Sequence, residues 1–80
     1  MSKKDDKAIL KGLKLGGAQK ATLVSVGQKY RRALLTMSDG QLVTIYKIPS
    51  SSSLDTSALQ RKARDYAAKY QKLGLTELTW

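Results

Sequence analysis

The sequence predicts an α+β domain: an antiparallel three-stranded sheet packed by one long C-terminal helix, with a short N-terminal helix and a short C-terminal fourth strand added. Three observations predict it. β-branched and aromatic residues crowd residues 20–48, interrupted by Gly27-Gln28 and Asp39-Gly40. Pro49, which has no N–H for a ladder, and a run of serines at 50–53 then end the strand pattern. Beyond them Leu59, Ala63, Tyr66, Tyr70 and Leu73 recur at steps of four, three, four and three, which is one face of a helix.

Residues 1–7 are charged and are expected to be mobile. From Asp6 a short helix is expected, capped by Asp5 or Asp6, with Ile9, Leu10 and Leu13 on one side and Gly16-Gly17 as its end. Gly12 in its middle costs about 1 kcal/mol against Ala, and an extended reading with Ile9, Leu13 and Leu15 serves nearly as well. The first strand carries Thr22, Val24 and Val26 at period two, and Gly27-Gln28 reads as a two-residue type II′ turn. Residues 29–37 form the second strand. Asp39-Gly40 reads as a type I′ turn into the third, QLVTIYKI. The helix over 55–73 has Asp55, Thr56 or Ser57 as its cap, an Asp65–Lys69 pair one turn apart, and Gly74 as its left-handed stop. LTELTW at 75–80 alternates and suits an edge strand, with Trp80 packing back beneath the helix.

Eighty residues make a single domain, 1–80, whose core is too small to carry a second one. The chain has no Cys and no His, which excludes disulfides, thiolate nucleophiles, imidazole acid–base chemistry and the usual zinc sites. There is no nucleophile elbow, phosphate-cradling glycine loop or paired carboxylate, so no catalytic residue, cofactor or metal is expected. No apolar run approaches the ~18 residues of a membrane span. The opening lysines are followed by an apolar stretch broken at Lys11, Gly12 and Lys14, which reads as a cytoplasmic N-terminus rather than a leader.

Charge points to the partner. Fifteen Lys and Arg against six Asp and Glu give a net +9, a balance that favours polyanions and acidic surfaces. With two-residue turns, one sheet face carries Val24, Val26, Ala33, Leu35, Met37, Leu42, Tyr46 and Ile48, with Lys29 and Arg31 toward one end, and receives the helix. The other carries Leu23, Tyr30, Arg32, Leu34, Thr36, Val43, Ile45 and Lys47, and stays open unless the N-terminal segment packs onto it. The expected binding residues are therefore Arg32, Leu34, Val43, Ile45, Lys47 and Tyr30 on the open face, with Lys20, Lys29 and Arg31 at the strand ends. Arg61 and Arg64 join them on the outer side of the helix.

The order of elements, with YRR before DGQ and then ALQRKARDYAAKY, resembles the small three-stranded-sheet-plus-helix DNA-binding domains of phage and transposon integrases over residues 20–73. The resemblance implies a sheet laid in the major groove, with Arg32, Leu34, Val43, Ile45 and Lys47 facing DNA. It implies an accessory or regulatory nucleic-acid-binding protein of a phage or mobile element, with DNA ahead of RNA as the ligand. The open face is richer in Leu, Val and Ile than that pattern requires, and it has few polar base readers. A second class fits those departures: a phage or mobile-element inhibitor, of the anti-defence or anti-CRISPR type, that blocks an acidic host protein with this face. A homodimer formed through the same face or an edge strand is a third.

Overall fold

A computed structural model describes residues 3–51 and 53–80 and has the expected α+β class. Two helices and four strands follow in the order α1 (Lys3–Leu15), β1 (Ala18–Ser25), β2 (Tyr30–Met37), β3 (Leu42–Pro49), α2 (Thr56–Leu73) and β4 (Glu77–Thr79). The strands form one sheet in the order β1-β2-β3-β4. The first three are antiparallel, and β4 runs parallel to β3 along the far edge.

The N-terminal segment differs most from expectation. The helical reading holds, but the helix starts at Lys3 and so takes in the described part of 1–7; Met1 and Ser2 lie outside the described residues. Asp6 anchors it, with its Oδ1 2.6 Å from Arg31 Nη1. Ile9 and Leu13 are fully buried, and Leu10 packs against the core from its edge. α1 thus shares one side of the sheet with α2 and leaves the other side uncovered.

Gly12 and Gly16 explain how two helices fit on so small a sheet. A Cβ on Gly12 would stand 2.2 Å from the Gln60 carbonyl oxygen, and one on Gly16 2.4 Å from that of Arg64. Facing them are Ala63 and Ala67, both fully buried. Small residues four apart on each helix bring the two backbones together. Gly12, which weakens α1 as an isolated helix, is the position that lets it cross α2.

The expected stripe on α2 shifts accordingly. Leu59, Ala63 and Ala67 are fully buried, Tyr66 and Tyr70 flank the core, and Leu73 is exposed. Asp55 is the N-cap, its Oδ1 accepting from the Ala58 N–H at 2.7 Å, and Gly74 ends the helix with a φ of 70°. Asp65 stands near Arg64, at 3.9 Å, while Lys69 lies over the Tyr66 ring.

Both hairpin loops contain three residues where the sequence predicts two. The Val26 N–H donates to the Tyr30 carbonyl across Gly27–Lys29, and the Met37 N–H to the Gln41 carbonyl across Ser38–Gly40. The second loop joins a tight turn, in which the Gly40 N–H donates to the Met37 carbonyl, to Gly40 at φ 88°. That is the three-residue alternative for a glycine-ended hairpin. One extra loop residue reverses the facing of a strand relative to its neighbour. β2 faces as expected, whereas β1 and most of β3 are turned over. The helix-covered side carries Ala21, Leu23, Arg31, Ala33, Leu35, Met37, Val43 and Ile45.

Ile48 nevertheless points inward, as expected, because β3 carries a bulge. Ala33 pairs with Ile45 and Arg31 with Ile48, so Tyr46 and Lys47 together oppose Arg32. Lys47 takes a left-handed φ of 60°, and the extra residue restores the inward alternation. The serine connector crosses to α2 with Ser52 outside the described residues.

Candidate functional site

The helical layer concentrates the charge of the molecule. α1 carries Lys3, Lys4, Lys7, Lys11 and Lys14, and α2 carries Arg61, Lys62, Arg64, Lys69 and Lys72. These ten cations face only three carboxylates on the same helices, Asp5, Asp6 and Asp65. Asp6 is already paired with Arg31. The close crossing at Gly12 and Gly16 sets the two helices, and so both sets of cations, side by side in one layer.

A groove of about 400 Å³ follows the seam between the helices, lined by Lys4, Lys7, Ala8 and Lys11 of α1 and Thr56 and Gln60 of α2. Three ammonium groups and two uncharged hydrogen-bonding side chains thus border it, and no carboxylate does. Lys7 and Lys11 also border a second groove, of about 640 Å³, whose wall includes Lys3, Asp6, Lys14, Leu10 and Leu15. Together they form a lysine crest between two concavities. On the far flank of α2, the rings of Tyr66 and Trp80 stack at 5.1 Å and 12°. Lys69 closes that stack on the Tyr66 side and Lys62 on the Trp80 side, at 4.4 and 4.7 Å from the ring centroids. Trp80 packs back against α2, as expected.

The open side of the sheet has different chemistry. Cross-strand rows place Lys20 beside Thr36 and Leu42, then Thr22 beside Leu34, Thr44 and Glu77, then Val24 beside Arg32, Tyr46 and Thr79. Arg32 holds its guanidinium 4.8 Å from the centroid of the Tyr46 ring, and the Tyr46 hydroxyl donates to Glu77 Oε1 at 3.2 Å. Arg32 Nε is buried and finds no hydrogen-bond partner among the described residues. Tyr30 continues the face toward the β1–β2 loop.

The residues singled out from the sequence therefore separate into three places. Lys20, Tyr30, Arg32 and Leu34 lie on the open sheet face, with Lys29 in the adjoining loop and Lys47 exposed at the bulge. Arg61 and Arg64 are exposed on the helical layer. Val43, Ile45 and Arg31 are corrections. The extra loop residue turns Val43 and Ile45 into the core, at 1% and 0% exposure, and Arg31 lies under the helices with Asp6. A groove-facing set containing Val43 and Ile45 is thereby ruled out.

Lys4, Lys7 and Lys11, which line the seam groove, are not among the residues the sequence singles out. Their spacing of three and four, repeated by Lys14, is the signal for one helix flank. Gly12 and Gly16 four apart, opposite Ala63 and Ala67, are the signal for the crossing. Among the described residues no group of three or more His, Cys, Asp or Glu gathers to hold a metal ion. None of the described helices is long and apolar enough to cross a membrane. No protein family, curated protein or solved structure matches the chain.

Proposed function

We propose that this chain is a non-enzymatic nucleic-acid-binding protein that grips the phosphate backbone with its helical layer, along the α1–α2 seam. The observation that carries the reading is the seam groove, bordered by Lys4, Lys7, Lys11, Thr56 and Gln60 with no acid among them. Lys4 to Lys11 covers about 10 Å of helix at 1.5 Å per residue. Each DNA strand carries one phosphate per ~3.4 Å of duplex axis and winds around that axis, so a straight row of this length reaches about two neighbouring phosphates of one strand. Thr56 and Gln60 add uncharged donors to phosphate oxygens, and Arg64 continues the row one turn on. Such contacts position a duplex without reading its sequence, and duplex DNA is the favoured ligand.

The test is the salt dependence of binding to a labelled DNA duplex. Affinity should fall linearly on a log–log plot, with a slope of about −0.9 per phosphate neutralised. Replacing Lys4, Lys7 and Lys11 together by Gln should shrink that slope by about 2 to 3. Replacing Lys20 and Lys47 by Gln should leave it unchanged. A duplex that fails to bind even at ~50 mM salt, or a triple variant with the wild-type slope, overturns the assignment.

A further inference from the structure

The helical contact leaves the open sheet face unused, and that face has a signature of its own. Val24, Tyr30, Leu34 and Leu42 are 40%, 49%, 44% and 66% exposed, with threonines between them, on a surface the chain does not cover. Large apolar side chains gathered on one uncovered sheet face in this way mark a contact surface. Its charge is spread to its margins, with Lys20 on β1, Glu77 on β4, Lys29 and Lys47 at the β1–β2 loop end, and only Arg32 in the middle, against Tyr46. An acidic partner would find most of the cations on the opposite side of the molecule. We propose that the occupant is a second copy of the chain, docked sheet to sheet about a twofold axis running close to the strand direction.

Such an axis lays β1 of one copy over β4 of the other. Lys20 then approaches the opposite edge, where Glu77 stands, and symmetry makes the contact twice. Leu34 and Leu42, on the two central strands, meet near the axis at the ~10 Å spacing of stacked sheets. The lysine-rich helical layers face outward, separated by both sheets and so by more than a Debye length of ~8 Å. A twofold axis across the strands also keeps the helical layers outward, but it lays β1 over β1 and β4 over β4 and so leaves Lys20 with no carboxylate on the strand opposite. Lys29 and Lys47 of both copies share one end of the interface, and added salt screens their repulsion. The dimer therefore tightens with salt, whereas the phosphate contact weakens.

Sedimentation equilibrium of the full chain across a dilution series, at low and high salt, tests this. The mass should rise from one chain to two, with a midpoint at lower concentration in high salt. Leu34→Asp with Leu42→Asp should remove the dimer while circular dichroism and duplex binding stay as in the wild type. Should those changes disturb folding, the edge charges decide. Lys20→Glu and Glu77→Lys should each weaken the dimer about tenfold, and the double exchange should restore it. The Lys4, Lys7 and Lys11 triple variant should still dimerise, so the two proposals fail separately. A single-chain mass at every concentration overturns the dimer. A dimer indifferent to both the aspartates and the charge exchange overturns the sheet-to-sheet geometry.

Discussion

The two broad surfaces of this molecule differ in what they expose and in what holds them. The helical layer displays ten of the fifteen cations on two helices that cross closely where Gly12 and Gly16 meet the backbone of α2 beside Ala63 and Ala67. The open sheet face displays leucine, valine, tyrosine and threonine around one arginine lying against a tyrosine ring. Net charge alone describes neither. A +9 chain suggests one diffuse basic surface, yet the fold gathers ten of the cations on the helical layer, where Leu15 and Leu73 are also exposed, and leaves the sheet face with fewer charges among apolar and hydroxyl side chains. A chain this small presents two distinct surface chemistries that way, with the core shared between them.

The sharpest way to break that contrast is at the helix seam. In an isolated helix Gly→Ala stabilises by about 1 kcal/mol. Here the new methyl meets the Gln60 carbonyl oxygen at 2.2 Å or the Arg64 carbonyl oxygen at 2.4 Å, and backbone cannot rotate aside as a flexible side chain does. Gly12→Ala and Gly16→Ala should therefore destabilise by about 2 to 3 kcal/mol each, the cost of overpacking a tight site. Urea denaturation reads this directly. A midpoint at or above wild type would mean that the seam is looser than described and that the two cation sets are not held together.

Arg31 and Arg32 sharpen the contrast one level down, since adjacent strand residues point to opposite sides. The Arg31 side chain is 10% exposed beneath α1 and paired with Asp6. Arg31→Ala should cost about 1 to 3 kcal/mol, because it strips a partly buried carboxylate of its cation and unties the start of α1. Arg32→Ala, which loses mainly a contact with the Tyr46 ring, should cost no more than about 1 kcal/mol. Equal losses would show that the two sides of β2 are not as different as their partners imply.

The legible and illegible parts of the fold follow from which physical signals are local. Helix α2, its Gly74 stop and the three long strands are written in nearby residues and stand close to where the sequence puts them, with Asp55 the one of three expected caps that is used and β3 ending on Pro49 rather than before it. Strand facing is different. Gly27 and Gly40 mark turns, but the choice between two and three loop residues is decided by which faces can be buried. Val43 with Ile45 and Leu42 with Tyr46 alternate equally well. The bulge at Tyr46 and Lys47 is a tertiary adjustment that no turn residue announces. The α1–α2 crossing was visible only as glycines and alanines four apart on different helices, a pairing that gains meaning once the two helices are adjacent.

The smallest expected effect concerns Asp39, which serves as more than a turn residue. Its Oδ1 accepts from the Gln41 N–H at 2.9 Å, and its Oδ2 accepts from the Tyr70 hydroxyl, tying the β2–β3 loop to the C-terminal turn of α2. The Tyr70 hydrogen bond, and after it the Gln41 N–H, hold the Asp39 carboxyl below its ordinary value, while the same bond to Asp39 raises the Tyr70 phenol. The two signs differ. Asp39 contributes stability that is complete above the ordinary carboxylate range and is lost as pH falls through its lowered value. Tyr70 contributes stability that is complete below about 10 and is lost as pH rises through its raised value. Both groups are solvent-exposed, so the slopes should be shallow. Asp39→Asn should flatten the acid limb of the stability profile that wild type shows, because the amide does not titrate. Tyr70→Phe should abolish the alkaline contribution and reduce the acid one, leaving the part that the Gln41 N–H supplies. If Tyr70→Phe leaves the acid limb unchanged, the loop and the helix end are not coupled through this bond.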